Sequence, residues 1–370
     1  MKDQTVIPGL DGVIATETDV SYLDVEQEEI VIKGYDLIEL SEKITYIELA
    51  HLLFEGTLPN KEEEAKFESA LKKEYALPDE FLSIYNNLPK DMNAMDALRT
   101  GISALGSFDP LLEDRSTSAN REKSLRLLAK IPNIVANSYH KLTGATPVEP
   151  REDLPFSSNF LYMITGKVPT ALEAEIFDQS LMVYSEHEMP NSTFTARVIA
   201  STQADIYGAY TGAVASLKGS LHGGANEAVM YLLLEGKTVD GLETLLFEKL
   251  KNKERIMGFG HRVYMKKMDP RATLMKKALK RLAKDRGRED LVEMCQRGED
   301  ILREEKGLYP NLDYYAAPVY YLLNIPIPLY TPVFFAARAV GLGAHVIEQH
   351  DNNRLYRPRV KYTGPRNLHP

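Results

Sequence analysis

Three histidines and one aspartate sit in settings that favour chemistry. His222 lies in GSLHGGANEA, His261 in GFGHRVY, His187 in SEHEMPNSTF and Asp313 in LYPNLDYYAAPVYYLL. His222 is followed by Gly223-Gly224 and then a helical pattern, which puts the imidazole at a helix N-terminus. The positive end of a helix disfavours imidazolium and lowers its pKa. A neutral imidazole can donate a hydrogen bond to a carbonyl oxygen as negative charge builds there, and the glycines allow close approach. The competing reading is a capping histidine after a tight turn.

His261 closes a second glycine loop, Gly258-Phe259-Gly260, with Arg262, Lys266 and Asp269-Pro270-Arg271 behind it. Loop amides beside basic side chains suit phosphate or carboxylate oxygens. Asp313 enters a Tyr-rich apolar run, where lost hydration raises a carboxyl pKa toward the general-base range. An N-cap role for the same aspartate is equally open. Arg338, in VFFAARAVGLGAHVIE, needs an anion if buried, either a structural acid or a substrate carboxylate.

Other chemistries lack their residues. The one cysteine, Cys295, rules out a disulfide framework and a Cys-rich metal site. No HExxH, clustered acidic ligands, Walker loop or dinucleotide fingerprint is present. His187-Glu188 alone is not a metal site.

These residues need a scaffold, and the periodicity predicts one that is all-α with a small N-terminal β element. Residues 12–34 are rich in Val, Ile, Thr and Tyr and read as short strands. From Asp36 onward apolar positions recur at helical spacing. Segments 38–56, 193–218, 270–287, 289–305, 313–323 and 330–350 each read as one helix, among others. The apolar run Ala316–Ala337 raises the membrane question, but Pro318, Pro326, Pro328, Pro332 and Asn324 interrupt it, so it reads as buried core. The Gly-rich stretch 219–224 and the Pro-rich stretch 324–332 are hinge candidates.

At 370 residues, with 44% apolar and 26% charged, the chain can bury a large core, in two domains or one domain with a lobe. The N-terminus lacks a signal-peptide pattern, so a cytoplasmic setting is expected. A net charge of −9 argues against nucleic acid as the main partner. Residues 251–288 nevertheless carry fourteen Lys/Arg against three acids, and the last twenty residues carry five against one. Such concentration suggests a small polyanionic ligand. Residues 276–288 alone are spaced as a solvated helix face.

EHEMPNSTF, LHGGANEAV, GFGHRVY, DPRA, YPNLDYY and the C-terminal RPR, in this order, resemble the citrate synthase family, compact bacterial type. The likeness spans nearly the whole chain, including GLDGVIATET near the start and MDALRT at 95–100. It implies a large helical domain (1–223 and 325–370) with an inserted smaller one (224–324), assembled as a homodimer. It implies condensation of an acyl-CoA with oxaloacetate, with no cofactor and no membrane. His222 then polarises the thioester carbonyl, Asp313 removes the α-proton, and His261 bonds the oxaloacetate ketone. His187, Asn191, Arg271 and Arg338 match oxaloacetate contacts. Arg357 matches an arginine reaching in from the second subunit. Gly258, Gly260, Lys266 and Arg359 match CoA contacts. A citryl-CoA lyase module and a non-catalytic paralogue are the competing readings.

There are departures from the family pattern. Ser220 stands where a proline is usual. One extra residue lies between His261 and Arg271. Tyr314-Tyr315-Ala316-Ala317 replaces the usual Tyr-Ser-Gly and, with YTPVFFAAR, resembles the 2-methylcitrate synthase branch, which accepts propionyl-CoA.

Overall fold

The computed structural model describes residues 6–24, 26–27, 29–260 and 267–369. His261, Arg262 and Lys266 lie outside them.

A small antiparallel sheet opens the fold: β1 (Ser21–Asp24), β2 (Glu29–Ile32) and β3 (Tyr35–Asp36), with Ser21 opposite Ile32 and Val31 opposite Asp36. Alternation decides its faces, since Leu23, Ile30 and Ile32 are buried while Tyr22 is exposed. Lys33 and Gly34 both take positive φ (48° and 89°), the two-residue hairpin turn that suits strand twist. That turn adds a strand just past the expected 12–34 window.

The rest of the described chain is mainly helical. In order come α1 (Leu37–Lys43), α2 (Tyr46–Glu55), α3 (Lys61–Lys73), α4 (Asp79–Asn86), α5 (Ala94–Gly106), α6 (Thr117–Leu142), α7 (Phe156–Thr165) and α8 (Ala171–Ser185). Then follow α9 (Asn191–Ala200), α10 (Ile206–Lys218), α11 (Ala225–Gly236), α12 (Val239–Lys251), α13 (Pro270–Arg286), α14 (Glu289–Lys306), α15 (Leu312–Leu322) and α16 (Tyr330–Asp351).

Two segments with one helical periodicity each form two helices. The 38–56 pattern breaks at Ile44, which is extended, and Thr45 starts α2 afresh through a reciprocal capping box with Glu48. The 193–218 pattern breaks after Ala200, where Gln203 takes φ 65° and the Asp205 carboxylate accepts from the Gly208 amide at 2.8 Å. In both cases a capping side chain overrides a continuous apolar stripe.

The apolar run Ala316–Ala337 is also divided. α15 ends at Leu322, Asn324 takes φ 59°, and a short 3-10 turn (Ile327–Leu329) leads into α16. α16 is long and apolar enough to cross a membrane, but 89% of its apolar stretch is buried inside the protein. It is the central core helix, packed by α2, α6, α8, α9 and α10.

Helices α11 to α15 pack chiefly on one another, α13 and α11 against α15 and α12 against α14. α13 also reaches α8. Its Arg281 holds Glu175 at 2.6 and 2.9 Å, and its Arg286 pairs with Glu173. Lys276 pairs with the buried Glu299 at 2.7 Å. The basic face over 276–288 is solvated as expected, with Lys277, Lys280, Arg281, Lys284 and Arg286 exposed, while Lys276, Arg281 and Arg286 also meet acids of α14 and α8.

Candidate active site

Asp313 lies in the first turn of α15 but does not cap it. Asn311 is the cap, its side chain accepting from the Asp313 amide at 3.1 Å. That corrects the capping alternative and leaves the carboxylate of this half-buried residue available. Oδ1 accepts the Tyr184 hydroxyl at 2.6 Å, and Oδ2 receives no hydrogen bond among the described residues. Burial raises the Asp313 pKa, against the lowering effects of the Tyr184 hydroxyl, Arg271 and Arg338.

The glycine loop is laced to this helix start. The Asn311 amide donates to the Gly258 carbonyl and the Gly260 amide to the Tyr309 carbonyl, each at 2.9 Å, and Asn311 Nδ2 donates to the Gly260 carbonyl at 3.1 Å. Phe259 packs against Tyr314 with ring centroids 4.4 Å apart and planes tilted by 52°. Gly258 takes φ 88°, and a Cβ there would lie 2.6 Å from Val229 and 3.0 Å from Tyr314. The visible work of Gly258 and Gly260 is therefore to let this loop close on residues 309–311, immediately before Asp313.

His222 sits on the turn before α11, its amide donating to the Gly219 carbonyl at 2.9 Å. The turn is tight enough that a Cβ on Gly223 would fall 2.1 Å from the Leu217 carbonyl oxygen. Nε2 accepts the Ser192 backbone amide at 3.2 Å and lies 2.9 Å from Ser192 Oγ. A backbone amide can only donate, so Nε2 carries no proton and the neutral ring bears it on Nδ1. The pKa falls to about 4, first through desolvation and then through the nearby Arg338 cation. Sequence predicted the lowering at the N-terminus of α11. The helix end whose amide touches the ring is that of α9.

Arg338 is buried in α16. Nε donates to the Tyr184 carbonyl at 2.6 Å, the guanidinium lies over the Phe334 ring at 5.1 Å, and buried Nη1 has no hydrogen-bond partner among the described residues. Desolvation pulls its pKa down to about 10, with Glu186 opposing and Arg271 adding. Arg271, in the first turn of α13, is gripped through Nε and Nη2 by Asp269 at 3.0 and 2.7 Å, both residues buried. His187 is buried between α8 and α9. Asn191 starts α9, is exposed, and accepts from Ser216 Oγ at 2.6 Å. Arg357 and Arg359 are exposed in the extended tail after α16.

Arg338 acts electrostatically on both His222 and Asp313, and Arg271 acts on Asp313 and Arg338, so Arg338 is the group that links the four. Sequence reasoning missed Tyr184, Ser192 and the grip of Asp269. Asp269 alone had a signal, as an acid before Pro270 at a helix start. Ala316 and Ala317 are fully buried, and Tyr184, which bonds Asp313, packs on Phe334. Among the described residues no cluster of His, Cys, Asp and Glu could hold a metal ion.

Residues 9–359 match the family described as citrate synthase, C-terminal domain. The chain belongs to the citrate synthase family. It is 64% identical over 362 residues to a protein named citrate synthase from Heyndrickxia coagulans, covering 98% of this chain and 97% of the relative. It is 62% identical over 359 residues to the citrate/2-methylcitrate synthase of Bacillus subtilis strain 168, covering 97% and 96%. Its fold is similar to that of the Thermoplasma acidophilum citrate synthase in ternary complex with carboxymethyl coenzyme A and oxaloacetate, with a TM-score of 0.92, 29% identity and coverage of 98% and 97%. This citrate synthase family member is an enzyme of the acyltransferase class, and its all-α architecture is that of the family.

Proposed function

We propose that this enzyme condenses acyl-CoA with oxaloacetate and water, releasing CoA and 2-methylcitrate or citrate. Both propionyl-CoA and acetyl-CoA are substrates, with propionyl-CoA preferred. The observation that supports the condensation is the Ser192 amide donating to His222 Nε2, which leaves Nδ1–H as a donor, beside an Arg338 that acts on both His222 and Asp313.

The α-proton of a thioester is weakly acidic. A carboxylate removes it only while a donor stabilises the negative charge forming on the carbonyl oxygen. Asp313 takes the proton, the C–H electron pair moves into the thioester, and His222 Nδ1–H holds the resulting enolate oxygen. The enolate carbon then attacks the oxaloacetate ketone, which His261 polarises. Arg271 and Arg338 hold the two carboxylates, and His187 and Asn191 line the same pocket. The buried Nη1 of Arg338, without a hydrogen-bond partner among the described residues, supports that role, since a buried guanidinium donor calls for an anion. Water finally hydrolyses the CoA thioester, which drives the reaction. Gly258, Gly260, Lys266 and Arg359 serve the CoA.

Arg357 of the partner subunit completes the site in a homodimer. Large apolar side chains exposed near both chain ends support that assembly, with Ile14 and Val360 each 90% exposed. The α11–α15 group, residues 224–324, closes as a smaller domain over the rest and sheds water from the site.

The lean to propionyl-CoA rests on Tyr314-Tyr315-Ala316-Ala317 and on the name of the Bacillus subtilis relative. A dedicated citrate synthase is the second reading, favoured by the name of the Heyndrickxia coagulans relative. One added methylene is worth only ~1–3 kcal/mol, so both substrates should turn over. Thiol release with oxaloacetate and each acyl-CoA decides between them. A higher kcat/KM for propionyl-CoA is expected, and a clear preference for acetyl-CoA overturns the lean.

A further inference from the structure

Tyr184 is nearly inaccessible, on α8, and it joins two parts of the site. Its hydroxyl donates to Asp313 Oδ1 at 2.6 Å, and its backbone carbonyl accepts from Arg338 Nε at 2.6 Å. Its ring packs on Phe334 and Tyr320, with centroids 4.6 and 6.2 Å away. The ring is thus clamped on two sides, and the hydroxyl is aimed across from α8 to α15. The bond leaves Asp313 Oδ2 as the carboxylate oxygen without a hydrogen bond among the described residues.

From this geometry we infer that Tyr184 is a positioning residue for proton abstraction: it engages Oδ1 of Asp313, turns Oδ2 toward the substrate, and keeps the carboxylate ionised. The inference rests on Asp313 being the base. The step balances simply. The substrate C–H bond breaks, an O–H bond forms on Oδ2, and the electron pair enters the thioester carbonyl. Tyr184 keeps its proton throughout, because burial and the adjacent carboxylate raise its pKa well above the ordinary tyrosine range.

Other groups also act on the carboxylate. Arg271 on α13 and Arg338 on α16 favour its charged form, while Asp269, capping α13, disfavours it. The Tyr320 phenol lies near it on α15 itself. Desolvation is the largest influence and raises the pKa, and the Tyr184 hydroxyl is the first influence opposing it. A donor to the charged form lowers a carboxyl pKa, so its removal raises that pKa further. The acid limb of the rate profile then moves to higher pH.

The test is Tyr184→Phe, with kcat/KM for the acyl-CoA measured against pH at saturating oxaloacetate. Below the acid limb, the variant should fall about tenfold further relative to its own plateau than the wild type does, the scale of one charge-assisted hydrogen bond. KM for oxaloacetate should hold, because phenylalanine keeps the carbonyl that Arg338 uses. Placing 3-fluorotyrosine at position 184 strengthens the donor and should move the limb the other way, even if the phenylalanine variant proves unstable. A limb that stays put in both proteins overturns the inference. Asp313→Ala separates the two failures: if it keeps turnover, Asp313 is not the base, whereas if it is dead while the limb never moves, Tyr184 alone is dismissed.

Discussion

The Ser192 backbone amide donates to Nε2 of His222 at 3.2 Å, which fixes the proton of that ring on Nδ1. Nitrogen-15 NMR of histidine-labelled protein should therefore find His222 with a bare Nε2, and it should stay neutral down to about pH 5, since its pKa lies near 4. The same shift has a thermodynamic sign. As pH falls from the ordinary 6.5 toward about 4, only the unfolded chain takes up this proton, so stability is lost across that window. His222→Gln should flatten that part of the slope in urea unfolding, and condensation should drop by about 10²–10³ in kcat.

Arg338→Lys keeps a positive charge but removes the planar fork. The buried Nη1 donor disappears, and the bond from Nε to the Tyr184 carbonyl is lost. Oxaloacetate binding should weaken by about 2–3 kcal/mol, seen as a rise of thirtyfold or more in KM for oxaloacetate. Calorimetric titration with oxaloacetate checks the binding directly.

Arg357→Ala removes an exposed side chain, so thermal stability should stay within about 0.5 kcal/mol of wild type. Activity should still be lost if this arginine serves the neighbouring subunit. Unfolding and refolding an equal mixture of Arg357→Ala and Asp313→Ala chains then restores about a quarter of wild-type activity, because half the dimers are mixed and each regains one intact site. No recovery would place Arg357 outside the partner's site.

Gly258→Ala meets Val229 and Tyr314 and strains a backbone at φ 88°. A loss of about 2–4 kcal/mol in stability is expected. Because the loop is bonded to residues 309–311, kcat/KM should fall for acetyl- and propionyl-CoA alike. Chemical denaturation alongside kinetics with both substrates measures the two effects.

Much of this site was legible in the sequence because its residues sit in short motifs. His222, Arg271, Asp313 and Arg338 each carried a local cue, a glycine turn, an acid-proline helix start or an apolar neighbourhood, and the fold brings all four together. Tyr184 carried none. It is an aromatic in an apolar helix, and only the packing of α8 against α15 gives its hydroxyl a carboxylate. Ser192 looked like any polar residue at a helix start, yet its amide and its hydroxyl both meet Nε2 of His222. The helix breaks at Ile44 and after Ala200 were hidden for a related reason. Apolar spacing continued through them, while Thr45 and Asp205 imposed new starts.

The hydrogen bonds between 258–260 and 309–311 span about fifty residues of chain. They make the start of α15 and the approach to His261 a single mechanical part. In amide exchange, the protons of Gly260 and Asn311 should open together as one cooperative unit. A change in chain length between residue 261 and α13 falls beyond that stitch, so the distance from Asp313 to the loop it is sewn to is indifferent to it.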